Sequence, residues 1–306
     1  MYLTDALRPH CFPFFVKHFA QCKYLHDIEL IVLTHDSEPA YYEQFLKQTP
    51  ISYKLAIVPH DRNYLRKVFA TIDYAKNNGI PYIMKHDNDI LMSNHLYDYL
   101  YENLDTLQDK QNIVLTPTLT SGIPTCEMFL QDYCTQEERD EINTLFLQYE
   151  HGPLWGTDYT ELNEFTRNAT KWDAESYFQA VKRRTHAYKG IHPLRMREDA
   201  IRKLNEYVVK YKERILSKEN YSLILDNKTP YFCNSVFCIR TDTYNTLLQH
   251  QELYVDNYDE VPLNKWRDMY SLNLVIVKNG TAIHPYYNTI DNYISYEKLL
   301  LDKLYR

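Results

Sequence analysis

The first 116 residues alternate short apolar runs with helix-patterned segments, and that rhythm leaves few architectures open. Ile28 to Leu33, Ser52 to Val58, Ile80 to Met84 and Asn112 to Thr116 read as strands. Ile28 to Leu33 is nearly unbroken in its apolar character, as expected of a parallel strand covered on both faces. Met1 to Thr4 could add a short first strand. Phe14, Phe15, Phe19 and Cys22 fall at helical spacing between the first two runs. Helices follow over 39–48 and 62–77, the second stopping before Asn78-Gly79. Another begins around Leu96. Strands separated by helices of this length predict an α/β fold, with a mostly parallel sheet flanked by helices. Ligands of such sheets bind beyond the carboxyl ends of the strands. Asp36, Asp61, Asp87 and Asp89 all fall at those ends.

The run Pro81-Tyr-Ile-Met-Lys-His-Asp-Asn-Asp-Ile-Leu91 is the most chemical of them. In extended chain, side chains at i and i+2 point to one side, so Asp87 and Asp89 could approach one divalent cation while Asn88 faces away. Mg²⁺ and Mn²⁺ take oxygen ligands, and Mg²⁺ is often held by one or two carboxylates together with phosphate oxygens. The same spacing also fits a surface turn whose Asp and Asn residues cap the next helix. His86 reads as structural, or as a hydrogen-bond partner of a diphosphate, rather than as a metal ligand.

The chain changes character over 117–220. A polar loop, Thr118 to Thr125, leads into predicted helices at 136–149, 173–187 and 197–217. An aromatic, acidic stretch containing Trp155, Asp158, Trp172 and Asp173 lies among them. This region reads as a helical insertion or lid that contacts an acceptor. Residues 221–306 return to strands near 222–225, 231–239 and 273–277, with a turn at Asn279-Gly280 and a helix opened by Asp259-Glu260-Val261-Pro262. Thr241 or Asp242 is expected to cap the helix after the second of these strands. The organisation is therefore 1–116, 117–220 and 221–306.

Composition narrows the function classes. A net charge of −7 without a long basic run argues against a duplex nucleic-acid binder. The basic clusters at 182–184, 195–203 and 210–214 read as solvated helix faces, with contact to a lipid headgroup or anionic acceptor as the second reading. The 29 tyrosines suit either half-buried packing or stacking on sugars. The six cysteines follow no zinc spacing and read as buried free thiols in a reducing compartment. No signal peptide and no stretch of 18 apolar residues is read, so the expected place is the cytoplasm, with peripheral membrane contact left open.

The order strand, Leu33-Thr-His-Asp-Ser37, helix, strand, long helix, strand, Asp87-Asn88-Asp89 resembles the nucleotide-binding half of GT-A class glycosyltransferases, which use nucleotide-sugar donors. The usual Asp-Gly-Ser loop is only partly kept. The resemblance covers about residues 24–116, is thinner over 230–290 and does not extend to 117–220. It implies a GT-A-like fold and Mn²⁺ or Mg²⁺ held by Asp87 and Asp89 on the donor diphosphate. It further implies His284 as a C-terminal metal ligand and Asp259 or Glu260 as the base of an inverting transfer. Asp36, Asp61 and Arg66 are its candidates for contact with the nucleotide-diphosphate sugar, and Asp87 serves both donor and metal. The acceptor would be a carbohydrate or glycolipid, as in surface polysaccharide or glycan synthesis. Each site has a plainer reading: helix N-terminal charge for Asp259-Glu260, packing for His284, a helix-surface charge for Arg66. A sugar nucleotidyltransferase, a metal-dependent phosphoesterase and a non-catalytic carbohydrate-binding protein are the alternatives. The first would want an early Gly-rich loop, yet Gly79 is the first glycine.

Overall fold

A computed structural model describes residues 1–3, 8–34, 39–58, 64–121, 125–147, 198–217, 220–227, 233–250, 253, 260–285 and 292–305. Two compact units share the chain. Unit one comprises Met1–Pro117, Arg214–Asn227 and Cys233–Ala282; unit two comprises Thr118–Glu213, Lys228–Phe232 and Ile283–Arg306. The stretch 221–306 thus divides between them.

The strands are β1 (Tyr2–Leu3), β2 (Leu30–Thr34), β3 (Tyr53–Ile57), β4 (Tyr82–Asp87), β5 (Asn112–Leu119), β6 (Ser222–Asp226), β7 (Val236–Arg240) and β8 (Asn273–Ala282). They form one sheet in the order β3-β2-β1-β4-β7-β5-β8-β6. The first four strands in that order run parallel. β7 is antiparallel to both β4 and β5, so β5 points the same way as β4. β6 and β8 pair antiparallel. The fold is α/β with a mixed sheet, and β1 to β5 share one direction. The parallel strand β2 is buried at every position, which explains why its sequence shows no alternation.

Helices α1 (Phe12–Phe19), α2 (Pro39–Leu46), α3 (Tyr64–Asn77) and α4 (Asn94–Glu102) belong to the alternating region. Pro13 at the second position of α1 costs no helical hydrogen bond there. The apolar face of α1 carries Phe12, Phe15 and Phe19 onto Tyr2 of β1 and Tyr97 of α4. The helical insertion contributes α5 (Thr125–Tyr133), α6 (Gln136–Leu147), α7 (Glu198–Lys210) and, after Tyr211, the short α8 (Lys212–Leu216). α9 (Thr241–Gln249), α10 (Glu260–Tyr270) and α11 (Tyr293–Tyr305) complete the chain.

Three local expectations change. The helix over 197–217 is two helices. Arg240, not Thr241 or Asp242, holds the N-cap position of α9, and no side chain caps it. Thr241 Oγ1 instead donates to the Ile80 carbonyl at 2.7 Å. Asn279-Gly280 is not a turn: β8 runs through it to Ala282. Asn279 takes φ 60°, a left-handed conformation that Asn tolerates better than most residues. Gly280 lies so close to its neighbours that an added Cβ would come within 2.5 Å of Val277 and 2.8 Å of Leu96 of α4. The absent side chain lets helix and strand meet. The helix expected at 173–187, with Trp155, Asp158, Trp172 and Asp173, lies outside the described residues.

In unit two, a polar seam joins α6 to α7. Thr135 caps α6 by accepting from the Glu138 N–H at 3.3 Å, and Glu138 returns a bond from the Thr135 N–H at 2.8 Å. This reciprocal pair satisfies two of the amides that a helix start leaves exposed. Glu138 also accepts from Lys210 at 2.6 Å and from the Tyr211 hydroxyl at 2.7 Å. One turn along, Glu141 accepts from Tyr207 at 2.5 Å and pairs with Lys203 at 2.9 Å.

Candidate functional site

β4 delivers the two carboxylates to its carboxyl end, but not as extended chain throughout. The strand holds through Asp87, whose N–H donates to the Ser235 carbonyl at 2.9 Å. There it turns, and the Ile90 N–H bonds back to the Asp87 carbonyl at 3.2 Å. Asn88 and Asp89 are the two central residues of that turn, so the alternation rule does not set the direction of Asp89. The physical reason lies just downstream. Ile90, Leu91 and Met92 are buried and draw the chain back into the core. Asn and Asp suit the resulting turn. Nor do these residues cap the next helix. Ser93 caps α4, its Oγ accepting from the Leu96 N–H at 3.2 Å.

The turn rests on an aromatic floor. The Asn88 backbone carbonyl accepts from the buried Tyr2 hydroxyl at 3.1 Å. Below it, His86 is buried between Tyr2 and Tyr97. Its Nδ1 lies 2.8 Å from the Asp87 carbonyl, and its Nε2 lies 2.7 Å from the Tyr97 hydroxyl. A carbonyl only accepts, so Nδ1 carries the proton and Nε2 accepts from Tyr97. Burial pushes the imidazole down to about 3, against the opposing pull of the Asp87 carbonyl. His86 is therefore a neutral strut, with both nitrogens committed within the protein.

Each carboxylate of the turn has a cation of its own. The side chain of Asp87 is 27% exposed and lies 2.9 Å from Nζ of Lys85, which is 1% exposed. Lys85 also donates to the Asn234 carbonyl. Asp89 is 14% exposed and lies 3.4 Å from the Arg8 guanidinium. Two acids and two bases thus sit at the end of β4, with the acids partly open to solvent. Oxygen ligands of this kind suit a hard divalent cation. A guanidinium and an ammonium suit phosphate oxygens.

No family model matches this sequence, and no curated protein matches it. The reading of the site therefore stands on its residues. Lys85 and Arg8 were not picked out by motif. Lys85 did leave a signal: a lysine inside an apolar strand, two residues before Asp87 and so on the same side of β4. Arg8 left none, because its place beside Asp89 depends on how β1 and α1 return to the sheet.

The other candidates are spread through the chain. Asp36, Asp61 and Asp259 lie outside the described residues. Glu260 is the first residue of α10, in unit one. Arg66 is exposed on the first turn of α3, as a helix-surface charge would be, while Lys67 beside it is buried. His284 belongs to unit two. It is 5% exposed and fastened through its backbone. Its N–H donates to Thr120 Oγ1 at 2.9 Å, and its carbonyl accepts from Ser121 Oγ at 2.5 Å. All six cysteines are free and buried, as their spacing implied. Among the described residues, no helix is long and apolar enough to cross a membrane.

Proposed function

We propose that this chain is a GT-A-type glycosyltransferase that moves a sugar from a nucleotide-diphosphate donor to a carbohydrate or glycolipid hydroxyl. The observation that carries the reading is the turn closing β4. There Asp87 and Asp89 stand partly exposed at the carboxyl end of a parallel strand, each beside a cation. Their oxygens fit Mg²⁺ or Mn²⁺, which when bound would neutralise charge developing on the leaving diphosphate. The chain's own residues do the rest. Lys85 holds the Asp87 carboxylate in place from beneath. Arg8 does the same for Asp89, and its five donors suit a diphosphate oxygen as well. His86 and Tyr2 keep the turn rigid, so the carboxylates need little reorganisation when charge develops.

In this reading Asp36, Asp61 and Arg66 contact the donor. Asp259 or Glu260 takes the acceptor proton, which would make the transfer inverting.

Calorimetry with a panel of nucleoside diphosphates, with and without Mn²⁺, tests the proposal. Mn²⁺-dependent binding of one of them, lost in Asp89→Asn, is the expected result. Donor turnover with release of the nucleoside diphosphate should accompany it. Equal binding in the wild type and Asp89→Asn, or activity that survives excess EDTA, would overturn the assignment. Release of inorganic pyrophosphate from a sugar phosphate and a nucleoside triphosphate would replace it with nucleotidyl transfer.

A further inference from the structure

Unit one contains a cavity of about 860 Å³ at the opposite end of β4 from Asp87. It opens at the amino ends of β2 and β4, beside the last turns of α3 and α4. Its walls are graded. Phe15, Phe19 and Tyr97 line it and are buried, which places them at its inner end. Four carboxylates also line it: Asp27, Glu102 and Asp105 are exposed, and Glu29 is half-buried. Among the described residues, no lysine or arginine lines it. A cavity of this size encloses a small molecule. An apolar interior behind an acidic mouth gives that molecule an orientation.

The mouth repeats one arrangement. A tyrosine hydroxyl donates to a carboxylate from Tyr74 to Glu29 at 2.6 Å, from Tyr24 to Glu102 at 2.7 Å and from Tyr101 to Asp27 at 3.1 Å. All of these residues line the cavity. In the first two sets an ammonium group completes the arrangement. Lys54 Nζ lies 3.2 Å from Glu29 and 4.3 Å from the centre of the Tyr74 ring. Lys23 Nζ lies 3.4 Å from Glu102 and 4.7 Å from the centre of the Tyr24 ring. Ring face and carboxylate both attract the positive charge, so together they hold a cation better than either alone. The third set has the ring and the acid without the ammonium. Asp27 has the exposed imidazole of His26 at 3.4 Å, and among the described residues it pairs with no lysine or arginine. Tyr101 is stacked on Tyr24 with ring centres 4.5 Å apart, which holds its ring in place. Asp105, which accepts from Gln108 at 2.7 Å, adds a further negative charge to the mouth.

We propose that this cavity binds a small organic cation, its ammonium held at the mouth by Asp27 and the Tyr101 ring and its apolar body reaching in to Phe15 and Phe19. The two lysines show how the mouth takes an ammonium group; the ligand supplies the one that the third set lacks. An anion would meet four carboxylates there, balanced only by two lysine side chains that are 67% and 51% exposed. A neutral apolar molecule would fill the interior and leave Asp27 and Asp105 without a counter-charge. The site shares no acidic residue with the turn at Asp87 and Asp89, so either can stand without the other.

Calorimetry of the full chain with phenylbutylammonium, phenylbutanol and phenylbutyrate tests the site, because the three share an apolar body and differ in charge. Saturable binding of the cation is expected, at least about tenfold tighter than that of the alcohol, with none of the anion. Asp27→Asn should weaken the cation by about threefold or more and leave the alcohol unchanged. Methyl NMR should place the cation in the cavity through shifts at Ile31, Ile83 and Met84, which line it. Glu213→Gln removes an acid in unit two that is 89% exposed and should change nothing. No saturable binding of the cation, or equal affinity for cation and alcohol, would overturn the proposal. So would wild-type affinity in Asp27→Asn, or binding that shifts none of the three methyls. An equal loss in Glu213→Gln would also overturn it, because the cation would then be following the overall negative charge of the protein.

Discussion

Two acidic pairs in this chain both sit beside basic partners, yet their surroundings differ in kind. Glu138 and Glu141 lie one turn apart on α6, and their partners Lys203, Tyr207, Lys210 and Tyr211 all come from one stretch along and just beyond α7. Those bonds close a helix–helix seam and a helix cap. Asp87 and Asp89 lie on a turn where a strand ends, and their partners Lys85 and Arg8 come from different parts of the chain. An acidic pair that cements two helices spends its bonds on one neighbour. A pair gathered at the end of a parallel strand stands where ligands of such sheets bind. The difference teaches that ion pairing is common to both settings, and that the element presenting a carboxylate decides whether it faces a neighbouring helix or the ligand-binding end of a sheet.

The strongest way to break this contrast is to neutralise one acid of each pair. Asp89→Asn keeps the shape of the side chain. It should lower donor turnover by about 10²–10³-fold, since metal stabilisation of a leaving group amounts to several kcal/mol. Some stability should go with it, since Arg8 and Asp89 are only 12% and 14% exposed and Arg8 loses a charged partner. Glu138→Gln should lower stability and leave turnover alone. Turnover intact in Asp89→Asn, or lost in Glu138→Gln, would erase the distinction.

Gly280→Ala comes next and probes the sheet that carries the turn. The new methyl would meet Val277 and Leu96, and Leu96 lies in the first turns of the helix that follows Asp89. Overpacking of this sort costs about 1–3 kcal/mol. A lower melting temperature with donor affinity kept is expected in denaturation and calorimetry. Loss of donor affinity at full stability would mean that α4 sets the turn more than the aromatic floor does.

Much of this architecture is legible in the sequence, and the parts that are not share a cause. The strands of the alternating region and the helices between them follow from local apolar period, and so does the arrival of Asp87 at a strand end. The insertion of β7 between β4 and β5 is not local. Met84 and Leu115 both pair with Cys238, far along the chain, and no periodicity records that. The turn at Asn88-Asp89 was masked by a spacing that fits an extended strand equally well. Asn279-Gly280 has the composition of a turn, yet β8 runs through it to Ala282, with no room for a side chain at Gly280 beside Val277 and Leu96. The cap pairing Thr135 with Glu138 was readable from its spacing alone.

The smallest expected effect is the most specific, and it concerns the seam. Burial alone would raise the Glu138 carboxyl, but the hydrogen bonds from Lys210, Tyr211 and the Thr135 N–H outweigh it and bring the group down to about 2. The ordinary value of 4.5 holds in the unfolded chain. A carboxyl lowered in the folded state contributes stability above its unfolded pKa and loses it as pH falls through the folded one. Wild type should therefore exceed Glu138→Gln by about 1–2 kcal/mol at pH 7, after discounting for the solvent that reaches the pair. That gap should persist down to about pH 5 and close between 4.5 and 2. Urea denaturation of both proteins across this range would measure it. A gap that stays constant to pH 2 would mean that the amide lacks only shape or hydrogen-bond geometry, and that the charge of Glu138 contributes nothing to the seam.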